Sequence, residues 1–194
     1  MKINKDKCVG CANCVPICPV GAIYIGEDGL SEINTETCVE CHNCFRSLSL
    51  EHLPPGVTRL IRKMLKAVSL RFQPAPDVCP TDAIVQEELE WPRIVRRAFS
   101  DPMVTHESTG VHGRGTEEVK TNDVSGRIKR GDVGVVIEFG RPGVGVYFRD
   151  VQTVTSAMAA EGINFESGNP VTQLMTSIKT GHIREDLLDE KVLS

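Results

Sequence analysis

The chain has 194 residues and a formal net charge of −4, enough for one sizeable domain or two small ones. This weakly acidic balance gives no support for binding nucleic acid, and no apolar run approaches the ~18 residues of a transmembrane segment. The N-terminus, MKINKDKC, has no apolar core of a secretion signal. We therefore expect a cytoplasmic protein whose eight cysteines bind metal rather than form disulfides.

The first predicted element is a cysteine-rich loop, CVGCANCVPICPVGAI, at residues 8–23. Its cysteines have the C-x2-C-x2-C-x3-C-P spacing of bacterial iron–sulfur proteins: Cys8, Cys11, Cys14 and Cys18. Three thiolates at short intervals let one loop hold three corners of a cubane, while the fourth cysteine points away from it. The pattern therefore predicts a second cluster, which Cys18 would ligate. A hairpin should follow, with strands at 22–25 and 30–33 around the turn GEDG.

The chain then repeats itself, since INKDKCVGCANC at 3–14 returns as INTETCVECHNC at 33–44. The second copy supplies three further candidate ligands: Cys38, Cys41 and Cys44. Its fourth cysteine comes only at Cys79, in the sequence CPTDAI, which matches CPVGAI of the first copy. Residues 45–78 are therefore an insertion.

On these motifs, residues 1–90 resemble the two-cluster bacterial-type ferredoxins, the insertion excepted. The resemblance implies a pseudo-twofold domain with two 4Fe-4S clusters. It assigns cluster I to Cys8, Cys11, Cys14 and Cys79. It assigns cluster II to Cys18, Cys38, Cys41 and Cys44. Structural zinc is the alternative, but zinc sites usually present separated C-x2-C pairs rather than triplets.

Two residues of the second cysteine loop depart from the first copy. Glu40 replaces Gly10, and its charge would favour the oxidised cluster, a modest effect if the carboxylate lies in water. His42 replaces Ala12, and we expect a solvated side chain. The alternative is that this imidazole couples reduction to protonation.

The insertion contains a predicted basic amphipathic helix at residues 57–72, bounded by prolines on both sides. Apolar residues recur at helical spacing: Val57, Leu60, Ile61, Met64, Leu65 and Val68. Basic residues are interleaved with them: Arg59, Arg62, Lys63, Lys66 and Arg71. Three interpretations remain open, namely packing of the apolar face on its own domain, docking of a partner protein, or contact with an anionic membrane surface.

Residues 91–131 are predicted to form a short helix and a Gly-rich linker or binding loop. Trp91 heads the helix, WPRIVRRAFSDP, and would anchor it against the ferredoxin core. The loop, residues 103–131, carries basic and hydroxyl side chains that suit an anion or another small polar ligand, but it matches neither a P-loop nor a zinc-binding helix. It is either a ligand- or subunit-binding segment or an ordinary crossing segment.

Residues 132–194 are predicted to form a small α/β unit. An apolar strand at 133–139 is followed by a helix that Asp150 caps and Gly162 ends, and then by a strand at 163–166. Strand, helix and strand favour an open α/β sandwich such as a ferredoxin-like βαβ plait. The fold class is thus α+β, with a ferredoxin-type domain and inserted helix followed by a small α/β domain.

These features predict electron transfer through two 4Fe-4S clusters. The chain would act as a ferredoxin-like protein or as the electron-transfer subunit of an anaerobic oxidoreductase complex, with a redox partner protein. The alternatives are the iron–sulfur subunit of a low-potential reductase with a substrate or effector site at 103–131, and an iron–sulfur redox sensor. No nucleophile–base pair and no flavin or nicotinamide fingerprint appears, so we assign no catalytic residue.

Overall fold

The computed structural model describes residues 1–47, 53–70, 79–104, 126, 128–140 and 144–193. Within these ranges it combines short helices with four two-stranded antiparallel sheets, which is compatible with the α+β class. The chain divides into two compact units. Unit 1 is Met1–Cys38 with His42–Glu88, and unit 2 is Val39–Cys41 with Leu89–Ser194.

Unit 1 contains four short strands: β1 (Lys2–Ile3), β2 (Ile23–Ile25), β3 (Ser31–Ile33) and β4 (Ile84–Val85). Strand β1 pairs with β4, which brings the start of the chain close to the segment that follows Cys79. Strands β2 and β3 form the predicted hairpin, closed by a hydrogen bond from the Gly26 N–H to the Leu30 carbonyl at 2.8 Å. The two pairs are equivalent in the sequence repeat, because β1 corresponds to β3 and β4 corresponds to β2.

The backbone of the two sequence copies repeats the same local conformations. Positive φ angles occur at equivalent places of the two copies: Gly10 and Glu40, Ala12 and His42, Gly21 and Asp82. In each copy an Asn side chain also accepts hydrogen bonds from two following backbone N–H groups, at Asn4 and at Asn34. The predicted internal repeat is therefore also a repeat of local structure.

The helices of unit 1 are α1 (Asn43–Arg46) and α2 (Pro55–Ala67). Helix α2 is the inserted helix, and it begins earlier and ends earlier than the predicted 57–72. Pro55 lies in its first turn, where the missing N–H costs no helical hydrogen bond. Its end is fixed by Ser69, which has a φ of 57°, and by a hydrogen bond from the Leu70 N–H to the Leu65 carbonyl.

Unit 2 is built on helices and two further strand pairs. Its helices are α3 (Ile94–Ser100), α4 (Phe148–Ala160) and α5 (Pro170–Gln173). Its strands are β5 (Val146–Tyr147), β6 (Met175–Ser177), β7 (His182–Ile183) and β8 (Lys191–Val192). Phe99 and Phe148 meet edge to face at 5.3 Å between ring centroids, in a core that α3, α4 and β8 share.

The structure corrects the predicted βαβ plait. A βαβ unit needs parallel strands joined by a crossover, whereas β5 pairs with β8 and β6 with β7, and both pairs are antiparallel. The predicted strand at 133–139 is irregular and exposed, with 89% of Val133 accessible to solvent. Residues 163–166 form no strand either. Short apolar runs do not by themselves distinguish a strand from an irregular segment.

The ends of α4 match the prediction in part. The helix begins at Phe148, so Asp150 lies within its first turn rather than at the cap. Gly162 follows its end with a φ of 74°, as predicted.

The expected position of Trp91 is wrong. Its indole N–H donates to Asp186 Oδ2 at 2.5 Å, within unit 2, and α3 packs in the core of the same unit.

Candidate iron–sulfur site

Each cysteine loop begins on a turn that belongs to the other copy of the repeat. The Asn4 N–H, before the first loop, donates to the Ala83 carbonyl at 2.7 Å. The Asn34 N–H, before the second loop, donates to the Ala22 carbonyl at 2.8 Å. Ala83 follows the Cys-Pro turn of the second copy, and Ala22 follows that of the first. The backbone therefore joins each triplet loop to the turn that carries the other copy's fourth cysteine.

Side chains also hold the first cysteine loop to the Cys-Pro turn of the second copy. We call this crossed connection the exchange of Cys-Pro turns. Lys7 Nζ lies 3.0 Å from Asp82 Oδ2, and the Thr81 hydroxyl donates to the Lys7 carbonyl at 2.7 Å. Both partners of Lys7 belong to the turn that begins at Cys79. The fourth predicted ligand of cluster I is thus held against the loop that carries the other three.

The thiols predicted for cluster I influence one another. Cys8, Cys14 and Cys79 are buried, and Cys11 is half-buried. Burial raises the pKa of the Cys14 thiol to about 11, a hydrogen bond with the Ser31 hydroxyl opposes that rise, and the charges of Cys11, Cys79 and Cys8 add to it. Cys8, Cys14 and Cys79 also lie in the same buried core.

This environment fits an iron–sulfur cluster. A buried thiolate is unfavourable without a compensating cation, and burial raises the pKa of Cys11 as well. Iron removes that penalty by binding the thiolates directly. Soft thiolate ligands, with no oxygen donor among the predicted set, favour iron–sulfur clusters or zinc over hard cations.

Backbone N–H groups also donate to sulfur atoms of the predicted ligands. Gly10 and Ser31 donate to Cys8 Sγ at 3.4 Å, Ala22 donates to Cys18 Sγ at 3.1 Å, and Ala83 donates to Cys79 Sγ at 3.2 Å. The bonds to Cys18 and Cys79 are equivalent in the two copies. Hydrogen bonds to sulfur stabilise the reduced state of a cluster, so these donors contribute to its reduction potential.

The residues predicted for cluster II lie in two kinds of surroundings. Cys38 and Cys44 are buried in the core of unit 1, against which Cys18 packs. Cys41 is half-buried, in the short segment that belongs with unit 2. No three or more His, Cys, Asp or Glu side chains in the described part of the sequence are arranged to hold a single metal ion.

Glu40 and His42 are both buried, so the expectation that the His42 side chain is solvated is wrong. Glu40 is only 1% exposed, and Arg93 donates to its Oε1 from Nη2 at 2.6 Å and from Nε at 3.1 Å. Burial alone would raise the pKa of Glu40, but hydrogen bonds from cationic groups, Arg93 among them, hold it below its usual value. His42 is 4% exposed and meets the Phe45 ring edge to face.

The inserted helix contacts the first cysteine loop through its basic face. Arg59 Nη2 donates to the Cys8 carbonyl at 3.0 Å and to the Lys5 carbonyl at 3.1 Å. Arg62 Nη1 donates to the Val9 carbonyl. The cysteine spacing did not reveal Arg59 and Arg62 as candidate functional residues, although both are among the basic residues of the predicted helix.

The apolar face of α2 points to solvent, which overturns the interpretation that this face packs on its own domain. Between 43% and 64% of each side chain is exposed along this face: Val57, Leu60, Ile61, Met64 and Val68. The guanidinium groups of α2 bind carbonyl groups of the loop, and the apolar residues are turned outward. We call these five residues the α2 apolar face.

The predicted ligand-binding loop at 103–131 falls mostly outside the described residues, which omit 105–125 and 127. Within the part that the structure describes, no helix is both long and apolar enough to cross a membrane.

Residues 1–24 match the family described as the 4Fe-4S binding domain. Together with the ferredoxins among its relatives, this match shows that the N-terminal region is a bacterial-type ferredoxin domain, whose chemistry is iron–sulfur electron transfer. The resemblance inferred from the cysteine spacing is thereby confirmed.

Three relatives illustrate the range of similar proteins. The B component of the polysulfide reductase of Wolinella succinogenes is 32% identical over 99 residues, covering 46% of this chain and 51% of that protein. The B component of the Na⁺-translocating ferredoxin:NAD⁺ oxidoreductase complex of Acetobacterium woodii is 37% identical over 54 residues, covering 28% and 15%. Ferredoxin-1 of Rhodobacter capsulatus is 44% identical over 41 residues, covering 21% and 62%. The chain spans about half the length of the first of these relatives, and no solved structure matches it.

Proposed function

We propose that the chain transfers single electrons through two 4Fe-4S clusters, as a ferredoxin-like protein or as the electron-transfer subunit of an anaerobic oxidoreductase complex. The observation that carries this proposal is the exchange of Cys-Pro turns between the two copies of the repeat. Cluster I would bind Cys8, Cys11, Cys14 and Cys79. Cluster II would bind Cys18, Cys38, Cys41 and Cys44. The predicted division into residues 1–90, 91–131 and 132–194 remains part of this proposal, as does a cytoplasmic location.

Each cluster, when bound, supplies a one-electron redox couple. The protein's own residues provide the thiolates, the N–H donors to sulfur and an apolar cover that keeps water away. Val9, Ile23 and Ile84 are buried in unit 1. Hydrogen bonding and solvent exclusion are two of the main protein contributions to the reduction potential.

A redox partner protein is proposed to dock on the α2 apolar face. The helix touches Cys8 through Arg59, so a protein bound there would lie near cluster I. Lys63 and Lys66 are exposed on the same helix, and α2 contains no acidic residue, which suits a partner with carboxylates around an apolar groove. Two of the relatives, from the polysulfide reductase and from the Na⁺-translocating oxidoreductase complex, are named as components of larger assemblies.

Anaerobic purification with iron and sulfide analysis tests the cluster proposal. We expect about eight iron and eight acid-labile sulfide per polypeptide, four for each cubane. The spectra of single Cys→Ser variants then test the ligand exchange. Cys79→Ser should affect the same cluster signal as Cys11→Ser, and Cys18→Ser should affect the other signal, together with Cys41→Ser.

Two results would contradict this proposal. Zinc without sulfide would exclude the clusters. A Cys18→Ser variant that alters the same signal as Cys11→Ser would show that the first cysteine run closes on itself, and the exchange would then be wrong.

A further inference from the structure

We propose that Arg59 and Arg62 of the inserted helix raise the reduction potential of cluster I relative to cluster II, and so bias the transferred electron toward the cluster beside α2. The inference rests on the proposed two-cluster function and assigns a role to the insertion itself. In this view α2 carries fixed positive charge to the first cysteine loop.

The contacts of Arg59 hold its charge at the loop. Its Nη2 donates to the carbonyls of Lys5 and Cys8, at 3.1 Å and 3.0 Å, and also to that of Asp6. Its Nε lies 3.4 Å from the Cys8 carbonyl. One guanidinium group thus spans the backbone turn that leads into the first ligand, a geometry that a lysine would reproduce less well.

Arg62 approaches the loop more closely because Gly10 has no side chain. Its Nη1 donates to the carbonyl of Val9, which is buried. A Cβ atom on Gly10 would lie 2.7 Å from Arg62 Nη1 and 2.1 Å from the Gly29 carbonyl oxygen. A side chain at position 10 would therefore displace the guanidinium group.

The equivalent place in the second copy carries the opposite charge. Glu40 stands where the first copy has Gly10, and Arg93 binds its carboxylate. Arg93, the cation bound at this position, is therefore paired with a carboxylate. In the described part of the sequence, the hydrogen-bond acceptors of Arg59 and Arg62 are backbone carbonyls, which bring no compensating negative charge.

A fixed cation stabilises the reduced state of a nearby cluster, since reduction adds one negative charge. Arg62 brings its charge to the Val9 carbonyl, next to the predicted ligand Cys8. Arg62 is half-buried whereas Arg59 is exposed, so water screens Arg62 less and its contribution should be the larger.

An anaerobic redox titration of the holoprotein, followed by electron paramagnetic resonance, tests the inference. The variants are Arg59→Gln, Arg62→Gln and the double substitution, and Cys11→Ser identifies the signal of cluster I. At a fixed potential, the double variant should lower the ratio of reduced to oxidised cluster I by about tenfold, which corresponds to about 59 mV for a one-electron couple. The ratio for cluster II should change much less.

Lys63→Gln with Lys66→Gln is the matched control, because it removes the same charge from exposed positions of the same helix. This control should leave both ratios nearly unchanged. Arg59→Lys with Arg62→Lys should retain most of the wild-type ratio, since the charge is kept. If the lysine variant behaves like the glutamine variant, or if the control shifts cluster I equally, the inference is overturned.

The outcomes separate this inference from the function on which it rests. A wild-type protein without two clusters would refute the proposed function before any comparison of variants. If the wild-type protein contains both clusters, and the arginine variants have the same ratio of reduced to oxidised cluster I as the wild type, only the role of the arginines is refuted.

Discussion

Gly10 and Glu40 occupy equivalent places in the two cysteine loops, with φ angles of 63° and 55°. The repeat in the sequence predicted their equivalence. It did not predict that Glu40 is buried, because the partner, Arg93, lies outside the repeat and no spacing rule links the two residues. Beside Gly10, the Val9 carbonyl accepts a hydrogen bond from Arg62 of α2, whereas in the second loop the Glu40 carboxylate accepts one from Arg93.

The Gly10→Ala substitution should cause loss of the proposed cluster I. The new Cβ would lie 2.1 Å from the Gly29 carbonyl oxygen, a backbone atom that cannot move aside alone. Gly21→Ala is the matched control, because Gly21 has a similar φ of 65° but open space around it. The control should bear only the backbone strain of about 1–2 kcal/mol and keep its iron. Equal iron contents in the two variants would contradict the steric argument.

Trp91 offers a second prediction, since it is the single tryptophan of the sequence. Its indole N–H binds Asp186, and Arg184 stacks over its ring at 4.6 Å. Hydrogen bonds from Arg184 and then Trp91 lower the pKa of Asp186. The stabilisation is therefore complete above the unfolded carboxyl pKa of about 3.9 and is lost as the pH falls through the lower, folded value.

We expect the fluorescence of Trp91 to change in that acidic range and to stay constant above it. Asp186→Asn should remove the transition, while Asp189→Asn, which alters a neighbouring exposed carboxylate bound to Arg149, should leave it in place. A transition that persists in Asp186→Asn would refute the assignment.

Helix α2 shows that a correct helix prediction does not reveal which face of the helix contacts the rest of the protein. Hydrophobic periodicity predicted an amphipathic helix, and the usual inference buries its apolar face. The structure instead joins its basic face to the carbonyl groups of residues 5–9. Periodicity describes the helix alone, whereas its orientation depends on acceptors supplied by the cysteine loop.

If the α2 apolar face binds a redox partner, charges placed on it should weaken the complex. We expect Leu60→Glu with Met64→Glu to reduce recovery of an oxidoreductase subunit, co-purified from the native host, by about tenfold or more, as for a central interface residue. Iron content should be unchanged. Val133→Glu is the control, since Val133 is exposed but lies outside α2.

A second assay separates a partner protein from a membrane surface. Sedimentation with vesicles of anionic phospholipid should recover the wild type and the double variant equally. The docking proposal would be wrong if the double variant lost vesicle binding and kept its partner.

For the whole molecule, the sequence predicted unit 1 far better than unit 2. The cysteine spacing and the internal repeat constrain unit 1 twice, so β2, β3 and the crossed turns could be anticipated from matching residues. Unit 2 has no such repeat. Most of its strands are two residues long, too short for the alternation that identifies a strand. One of its pairs, β5 with β8, joins segments far apart in the sequence.

The pairing of β1 with β4 also bears on the order in which the protein is made. In the proposed ligand set, every cysteine of cluster II precedes the insertion, whereas cluster I and β4 wait for Cys79 and Ile84. A chain emerging from the ribosome would therefore present a complete set of cluster II ligands before α2 has been synthesised. The length of the insertion therefore sets the time between synthesis of the first cysteine loop and synthesis of Cys79. Because loop-closure entropy grows only slowly with length, a longer or shorter insertion would change the stability of the folded protein little.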